Sequence, residues 1–237
     1  MKTKTRFLIY PLLIIGVFLV FASSCEKEKE KEKEEEKEDI GSFTDTRDGN
    51  IYKTVKIGNQ IWMAENLRYL PSVVGPETYS FTIPYYYVYG YNGTDVNAAK
   101  KTANYTTYGV LYNWTAACSS CPSGWHLPTD AEWTELTDYL GGDSVAGGKL
   151  KETDTTHWKS PNTGATNETG FTALPGGYLS FNSIFSNIGN EGSWWCATEN
   201  SFSPTQAIWV RMEYDLNDLN ISGSFKESGF SVRCVRD

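Results

Sequence analysis

The chain has 237 residues, with 21 Lys and Arg against 29 Asp and Glu and a formal net charge of −8. Residues 1–21 hold three of the basic residues, and residues 26–39 hold five Lys, eight Glu and one Asp, which leaves 13 basic and 20 acidic residues elsewhere. Neutralisation of phosphates by Lys and Arg supplies most of the affinity of a nucleic-acid binder, so an acidic remainder without a basic stripe excludes nucleic acid as a partner.

The first 24 residues have the pattern of an export signal. Three basic residues precede an apolar run that ends at Phe21, as in a secretory signal peptide. The next four residues, ASSC, resemble the lipobox at which bacterial signal peptidase cleaves before a lipidated cysteine. We therefore expect residues 1–24 to be a lipoprotein signal peptide and Cys25 to carry a membrane anchor. The alternative is an ordinary signal peptide followed by a free thiol.

Residues 25–40 are predicted to be the lipidated cysteine and a disordered charged tether. The run EKEKEKEKEEEKED has no apolar side chain, so nothing offsets the entropy of ordering it. A helix is the alternative, but Glu and Lys two positions apart do not face each other. An acidic run after a lipidated cysteine resembles the signal that Bacteroidota use to export lipoproteins to the outer face of the outer membrane. We expect this location, with the domain facing the cell exterior.

Residues 41–237 are predicted to form one α+β domain. The segment is long enough for a hydrophobic core, and neither Pro nor Gly residues cluster within it in a way that would mark a second linker. Trp and Tyr are spread along it and alternate with Gly and Asn, which favours a loop-rich exported fold of short strands.

The first predicted element is a hairpin within IYKTVKIGNQIWMAENL. Gly58-Asn59 is expected at the bend, Val55 and Ile57 on one arm, and Ile61 and Met63 on the other, with these apolar residues facing the core. Further along, an extended PYYYVYGYNGTD segment places alternate rings on one face. These rings belong to Tyr85, Tyr87, Tyr89 and Tyr91.

A helix is predicted to begin within CPSGWHLPTDAEW. Thr129 and Glu132 have the spacing of a capping box, and Gly141-Gly142 supplies the stop. The expected buried stripe consists of Trp133, Leu136 and Leu140.

Two histidines are candidate bases or ligands. His126 precedes the helix without a carboxylate partner or an HExxH-like spacing, so a structural role is predicted for it. His157 lies in an apparent loop outside any motif, and no Ser-His-Asp spacing is visible. These patterns favour a protein that is not an enzyme.

The second half of the domain is predicted to be mostly strands. GGKLKE adds a short helical turn, TGFTALPGGY a strand and a bend, and GSWWCATEN, AIWVRMEY and GFSVRCVRD three strands of a small sheet. DLNDLN offers oxygen ligands but lacks the Gly and final Glu of a known calcium loop, so a solvated turn is predicted. Its polar residues are Asp215, Asn217, Asp218 and Asn220.

Seven motifs in order resemble the Fibrobacter succinogenes major paralogous domain family. They are VKIGNQIWMAENL, YGVLYNW, CPSGWHLPTDAEWTEL, GGKLKE, TGFTALPGGY, WWCATE and GFSVRCVRD. The resemblance assigns residues 41–237 to this domain and implies a C-type-lectin-like fold, with short, mostly antiparallel strands, one or two helices and many loops. It also implies an exported protein, often a lipoprotein, without an assigned function.

The resemblance also orders the cysteines of the domain. Cys121 and Cys234 stand at ordinary family positions, whereas Cys118 and Cys196 are additions, Cys196 replacing the usual serine. This implies the disulfides Cys121–Cys234 and Cys118–Cys196, although four thiols allow three connectivities. A redox pair of Cys118 and Cys121, or zinc held by the thiols and His126, is the alternative.

The expected function is binding of an extracellular glycan or protein through loops, without chemistry, cofactor or metal. Tyr and Trp provide rigid amphipathic contact area at low entropic cost, so aromatic-rich loops are the candidate surface. A structural subunit of a surface assembly is the alternative function, and packing in the core or on a sheet face is the alternative role of the rings. The candidate residues are Tyr85, Tyr87, Tyr89, Tyr91, Trp194, Trp195, Glu199 and Asn200.

Overall fold

Residues 41–237, the part of the chain that the computed structural model describes, form several small antiparallel sheets. The predicted signal peptide, the lipidated Cys25 and the tether lie outside these residues. Within residues 41–237, no helix has both the length and the apolar run needed to cross a bilayer.

The largest sheet joins the two ends of the domain. Its strand order is β1-β2-β3-β12-β6, so the last strand of the chain lies between the N-terminal hairpin and the strand before the predicted helix. Every pairing in it is antiparallel. The strands are β1 (Ser42–Thr44), β2 (Ile51–Ile57), β3 (Gln60–Met63), β12 (Val235–Arg236) and β6 (Trp125–His126).

A second sheet contains the longest strands. It has the order β11-β10-β9, with β9 at Glu191–Glu199, β10 at Gln206–Glu213 and β11 at Asn220–Phe225. Two short pairs complete the strands: β4 (Tyr86–Tyr87) with β5 (Leu111–Tyr112), and β7 (Tyr178–Leu179) with β8 (Phe185–Ser186).

Within residues 41–237, five helical segments accompany the sheets. They are α1 (Val96–Lys100), α2 (Ala103–Tyr108), α3 (Trp114–Ser120), α4 (Asp130–Tyr139) and α5 (Asp143–Leu150). The α+β, loop-rich class is thereby confirmed, whereas one or two helices was too few. The first three have five to seven residues, too short for an apolar stripe, and begin at the capping side chains of Asp95, Thr102 and Asn113.

The sequence predicted α4 in detail. The Thr129 side chain accepts from the Glu132 backbone while the Glu132 side chain accepts from the Thr129 backbone, which is a complete capping box. Gly141 and Gly142 follow the helix with φ of 101° and 98°. The predicted stripe is confirmed, since Trp133, Leu136 and Leu140 are buried.

The hairpin is confirmed at Gly58-Asn59, but one arm faces the other way. A two-residue loop pairs Ile57 with Gln60 and Val55 with Trp62, so Trp62 rather than Ile61 shares a face with Val55. Both faces are covered by core: Trp62 packs in one hydrophobic cluster and Met63 in another.

The C-terminal sheet differs from the prediction in one strand. GSWWCATEN and AIWVRMEY form β9 and β10, as expected. Their third partner is β11, however, whereas GFSVRCVRD contributes only β12 and isolated bridges. The final segment is buried between the sheets, where its side chains and backbone link the two cores.

Candidate functional site

The tyrosine row does not form one exposed face. The regular strand is only two residues long, and Tyr87 is 0% exposed in a small cluster with Leu111 and Leu179. Tyr85 and Tyr89 pack against that cluster, while Tyr91 packs against the larger core. The prediction that Tyr87 is a contact residue is therefore wrong. Its hydroxyl donates to the Thr78 carbonyl at 2.7 Å. The four rings do not share one face because the strand is too short to include all four tyrosines.

Trp194 and Trp195 are also core residues and not contact residues. Both are 0% exposed on strand β9, and they point to opposite faces because successive side chains alternate. The Trp194 indole donates to Asn66 Oδ1 at 2.9 Å, and that of Trp195 to the Tyr112 carbonyl at 2.7 Å. Burial with a satisfied N–H is the usual state of such a ring in a core.

Glu199 and Asn200 remain near the surface at the β9–β10 turn. Glu199 forms an ion pair with Lys226 at 3.2 Å. The amide of Asn200 donates to the Gln206 side chain at 3.0 Å and accepts from the Phe202 backbone at 3.0 Å. Asn200 thus shapes the turn.

One of the two implied disulfides is present. Cys121 and Cys234 are bonded, with Cα atoms 5.9 Å apart and 113 residues between them in sequence. Because Cys121 is committed to Cys234, it cannot pair with Cys118 or supply a thiolate to zinc in this state.

The Cys118–Cys196 pairing is wrong, since both residues are free thiols. Strand β9 separates the two cores: the Cys196 side chain packs into the cluster of Trp62 and Trp133, whereas α3 packs against the other cluster. Cys118 is exposed on α3. A thiol turned into one core cannot reach a helix that covers the other, and burial raises the pKa of Cys196 well above its ordinary value.

His126 has two carboxylate partners that sequence spacing did not show. Its Nε2 lies 2.7 Å from Glu132 Oε1 and its Nδ1 lies 2.6 Å from Asp237 Oδ1. Although partial burial opposes it, hydrogen bonds and charge from both carboxylates raise the pKa of His126. The imidazole links β6, α4 and the residue after β12, which is a structural role.

The second sheet carries a cleft that the sequence analysis did not identify. The register places Trp209, Arg211 and Glu213 of β10 on the same face as Glu191 and Ser193 of β9. The opposite face carries Ile208, Val210 and Met212 and packs on the core. Alternation along AIWVRMEY thus separates a polar, aromatic face from an apolar one.

This face, together with the segment 178–190, encloses a cavity of about 550 Å³, here named the sheet cleft. That size is typical of small-ligand sites. Its lining combines rings with amides, hydroxyls and charged groups. The principal lining residues are Tyr178, Asn187, Asn190, Glu191, Trp209, Arg211, Glu213, Ser224 and Phe230.

The aromatic part of the cleft is rigid. The Trp209 ring stacks on Phe230, with centroids 4.7 Å apart and planes at 17°. Tyr178 meets Phe230 edge-on at 5.9 Å. Phe230 is 2% exposed, so a core residue holds Trp209 in a fixed plane.

The polar part centres on an ion pair and a buried acid. Arg211 Nη1 lies 2.8 Å from Glu213 Oε1. Glu191 is 3% exposed and accepts hydrogen bonds from the Ser193 hydroxyl at 2.7 Å and the Asn187 amide at 2.9 Å. Burial raises the pKa of Glu191, although these donors and the nearby Arg211 act in the opposite direction.

A known protein family matches most of the described domain. The family model described as Fibrobacter succinogenes major domain matches residues 55–236. The chain belongs to this family. Comparison with curated proteins and with solved structures finds no match.

The resemblance motifs of this Fibrobacter succinogenes major domain now have visible roles in the scaffold. CPSGWHLPTDAEW supplies one cysteine of the disulfide, the His126 linkage and the start of the capped helix, which are all parts of the framework. The sheet cleft depends instead on AIWVRMEY and on the start of β9. The available signal was Trp, Arg and Glu at alternate positions of one strand, a pattern that predicts a polar face only once the strand's neighbours are known.

Proposed function

We propose that the protein is a non-enzymatic, lipid-anchored surface protein that binds an extracellular ligand in the sheet cleft. One observation carries the proposal: β10 packs Ile208, Val210 and Met212 on the core, while Trp209, Arg211 and Glu213 on its other face line a cavity of about 550 Å³. Pockets that combine apolar surface with a few oriented polar groups are the usual form of ligand sites.

The proposal moves the contact surface from predicted loops to a sheet face. A binding surface built on paired strands keeps its geometry without ligand, so little conformational entropy is lost on association. The C-type-lectin-like fold and the location on the outer face of the outer membrane belong to this proposal, supported by the sequence motifs, the lipobox-like ASSC and the charged segment after it.

Blocking the cleft tests the proposal. We propose probing arrays of immobilised oligosaccharides and peptides with the purified protein, with Ser224→Trp, and with Ser203→Trp as control. Ser224 lines the cleft on β11, whereas Ser203 lies in the β9–β10 turn. A ligand retained by wild type and Ser203→Trp but lost by Ser224→Trp supports the site.

Equal retention by all three proteins would place binding elsewhere and contradict the proposed site. Mass spectrometry of the retained ligand after incubation tests the non-enzymatic part. An unchanged mass is expected, and a changed covalent structure would make the protein an enzyme.

A further inference from the structure

Glu191 is a buried acid at the wall of the sheet cleft whose hydrogen-bond partners are both neutral. Within residues 41–237, no Lys, Arg or His nitrogen lies within ion-pair distance of its carboxylate. Each carboxylate oxygen can accept two hydrogen bonds, and the structure gives one donor to each: Asn187 to Oε2 and Ser193 to Oε1. Burying such a group is costly, so an additional donor from a ligand would be favourable.

Arg211 supplies the complementary donors. Its Nη1 is occupied by Glu213, but its buried Nε has no acceptor within the described residues, and neither has the buried Nε1 of Trp209. Unpaired buried donors are uncommon in native structures. They lie on the same strand face as the acceptors, because Arg211 pairs across the sheet with Ser193 and Glu213 with Glu191.

The spacing of rings and polar groups fits a ring-shaped, hydroxylated ligand. Trp209 and Arg211 are two residues apart on β10, which is about 7 Å in an extended strand. This is close to the width of one sugar ring and its hydroxyl groups. The C–H face of such a ring packs on an indole, and each hydroxyl both donates, as Glu191 requires, and accepts, as Arg211 requires.

The charges within the cleft are balanced, which favours a neutral ligand over a strongly anionic one. Lys159 and Arg211 are balanced by Glu191 and Glu213, and the rest of the domain is acidic. A polyanion would be repelled by the net negative charge of the domain. A polycation would be repelled locally by Lys159 and Arg211 in the cleft.

We propose, resting on the proposed function, that the sheet cleft binds a neutral saccharide, with Trp209 as the stacking surface and Glu191 as the specificity-determining acceptor of its hydroxyl groups. Glu191 selects because its carboxylate is fixed by Ser193 and Asn187. A ligand that lacks a donor at that position leaves a buried carboxylate underpaired, which is the strongest form of discrimination that a polar site offers.

Isothermal titration with neutral oligosaccharides tests the class of ligand. The probe is the neutral oligosaccharide that gives the strongest signal on a glycan array, compared with its uronic-acid counterpart and with a Lys-rich peptide. Glu191→Gln should weaken binding of the neutral sugar at least about tenfold, because a hydrogen bond to a charged acceptor is lost. Glu199→Gln, on the same strand but outside the cleft, should leave the affinity unchanged.

Substitution of Trp209 tests the stacking surface. Trp209→Ala should abolish detectable binding, while Trp209→Phe, which keeps a ring on Phe230, should retain part of it. Thermal melts of both variants identify any loss of folding. Phe202→Ala, which removes a 96% exposed ring from the β9–β10 turn, should bind as wild type.

The outcomes separate this inference from the proposed function. A cleft that holds the Lys-rich peptide through Glu191 and rejects neutral sugars would overturn the saccharide class and leave the site intact. Absence of any neutral sugar on the array would also overturn the class. A sugar bound equally by Glu191→Gln and Trp209→Ala would overturn both the class and the site.

Discussion

His126 shows how one side chain joins three distant parts of the chain. Its ring lies between Glu132 at the start of α4 and Asp237 beyond β12. Glu132 also accepts from the Thr129 backbone and hydroxyl, so the same carboxylate caps a helix and orients the imidazole. The arrangement is partly exposed, and we therefore expect a modest contribution to stability from the ion pairs.

Replacing His126 with Gln should lower stability in a pH-dependent way. A raised His pKa means that the stabilisation is complete below the unfolded value near 6.5 and disappears as pH rises through the folded value. Burial by itself would raise the pKa of Glu132, but hydrogen bonds from Thr129 and His126 lower it, so Glu132 stays ionised at mildly acidic pH. Urea unfolding should therefore show a wild-type advantage of about 0.5–1 kcal/mol at pH 5.5.

At pH 8.5 the difference between wild type and His126→Gln should shrink. An equal difference at both values would mean that the imidazole acts by packing and neutral hydrogen bonds alone. A larger difference at pH 8.5 would contradict the direction of the pKa shift.

Helix α5 and the turn after β10 are held together by a buried lysine. The Lys151 ammonium donates to the backbone carbonyls of Thr163 at 2.9 Å, Glu213 at 2.9 Å and Leu216 at 2.7 Å. Burial lowers the pKa of Lys151 to about 8, which still leaves it mostly protonated at neutral pH. The acidic turn predicted to be solvated is therefore fastened from inside by a protein cation.

The paired glycines of GGKLKE belong to the same contact. A Cβ at Gly147 or Gly148 would collide with Asp218 or Asn217, and the Gly148 amide donates to the Asn217 carbonyl at 3.0 Å. Glycine costs a helix about 1 kcal/mol relative to alanine, and here it permits close approach of the turn. Glu213, whose backbone carbonyl is one of the three that accept from Lys151, also lines the sheet cleft.

Replacing Lys151 with Met should destabilise the domain and loosen this turn. Three shielded carbonyls lose their donor, so we expect a loss of at least about 2 kcal/mol in the free energy of unfolding. Lys149→Met is the matched control: Lys149 lies two residues before Lys151, in the last turn of α5, and its side chain forms a partly exposed pair with Glu168. This change should alter stability by less than about 0.5 kcal/mol.

Hydrogen exchange locates the effect of Lys151→Met. The amides of Thr163 and Gly148, which donate to this turn, should exchange faster, while those of the β2–β3 hairpin should keep their protection. Equal losses for Lys149→Met and Lys151→Met would show that the three carbonyl contacts contribute little.

The whole molecule is proposed to be a compact binding domain on a lipid-anchored tether. In this proposal, the charged run of residues 26–39, which has no apolar side chain, serves as the link between the lipid anchor and the domain. Anchoring and binding then have separate sequence determinants.

Mass spectrometry of the protein from its own host should show acylated Cys25 as the mature N-terminus. Cys25→Ser should abolish acylation and release the protein from the membrane fraction, because no lipid can then be attached. An unmodified serine or threonine at the mature N-terminus would contradict the assignment. Protease treatment of intact cells should release the domain by cutting within residues 26–39. Complete resistance would place the domain in the periplasm instead of on the cell surface.

The sequence by itself determined the features that local patterns encode. Thr129 and Glu132 predicted the start of a helix because a capping box depends on residues three apart. Gly58-Asn59 predicted a hairpin bend because few residues accept a positive φ. Seven ordered motifs also predicted the family, and with it the Cys121–Cys234 bond.

Tertiary structure decided which of these residues meet, and which remain accessible. The sequence predicted a contact role for three aromatic residues that packing buries: Tyr87, Trp194 and Trp195. Cys196 and Cys118 remain free thiols because the Cys196 side chain points from β9 into the core on the other side of that strand. The sheet cleft arises only when β10 pairs with β9 and the segment 178–190 lines the same face. Strand periodicity gives two faces, but the choice of the covered face depends on long-range packing, which one chain's local pattern does not contain.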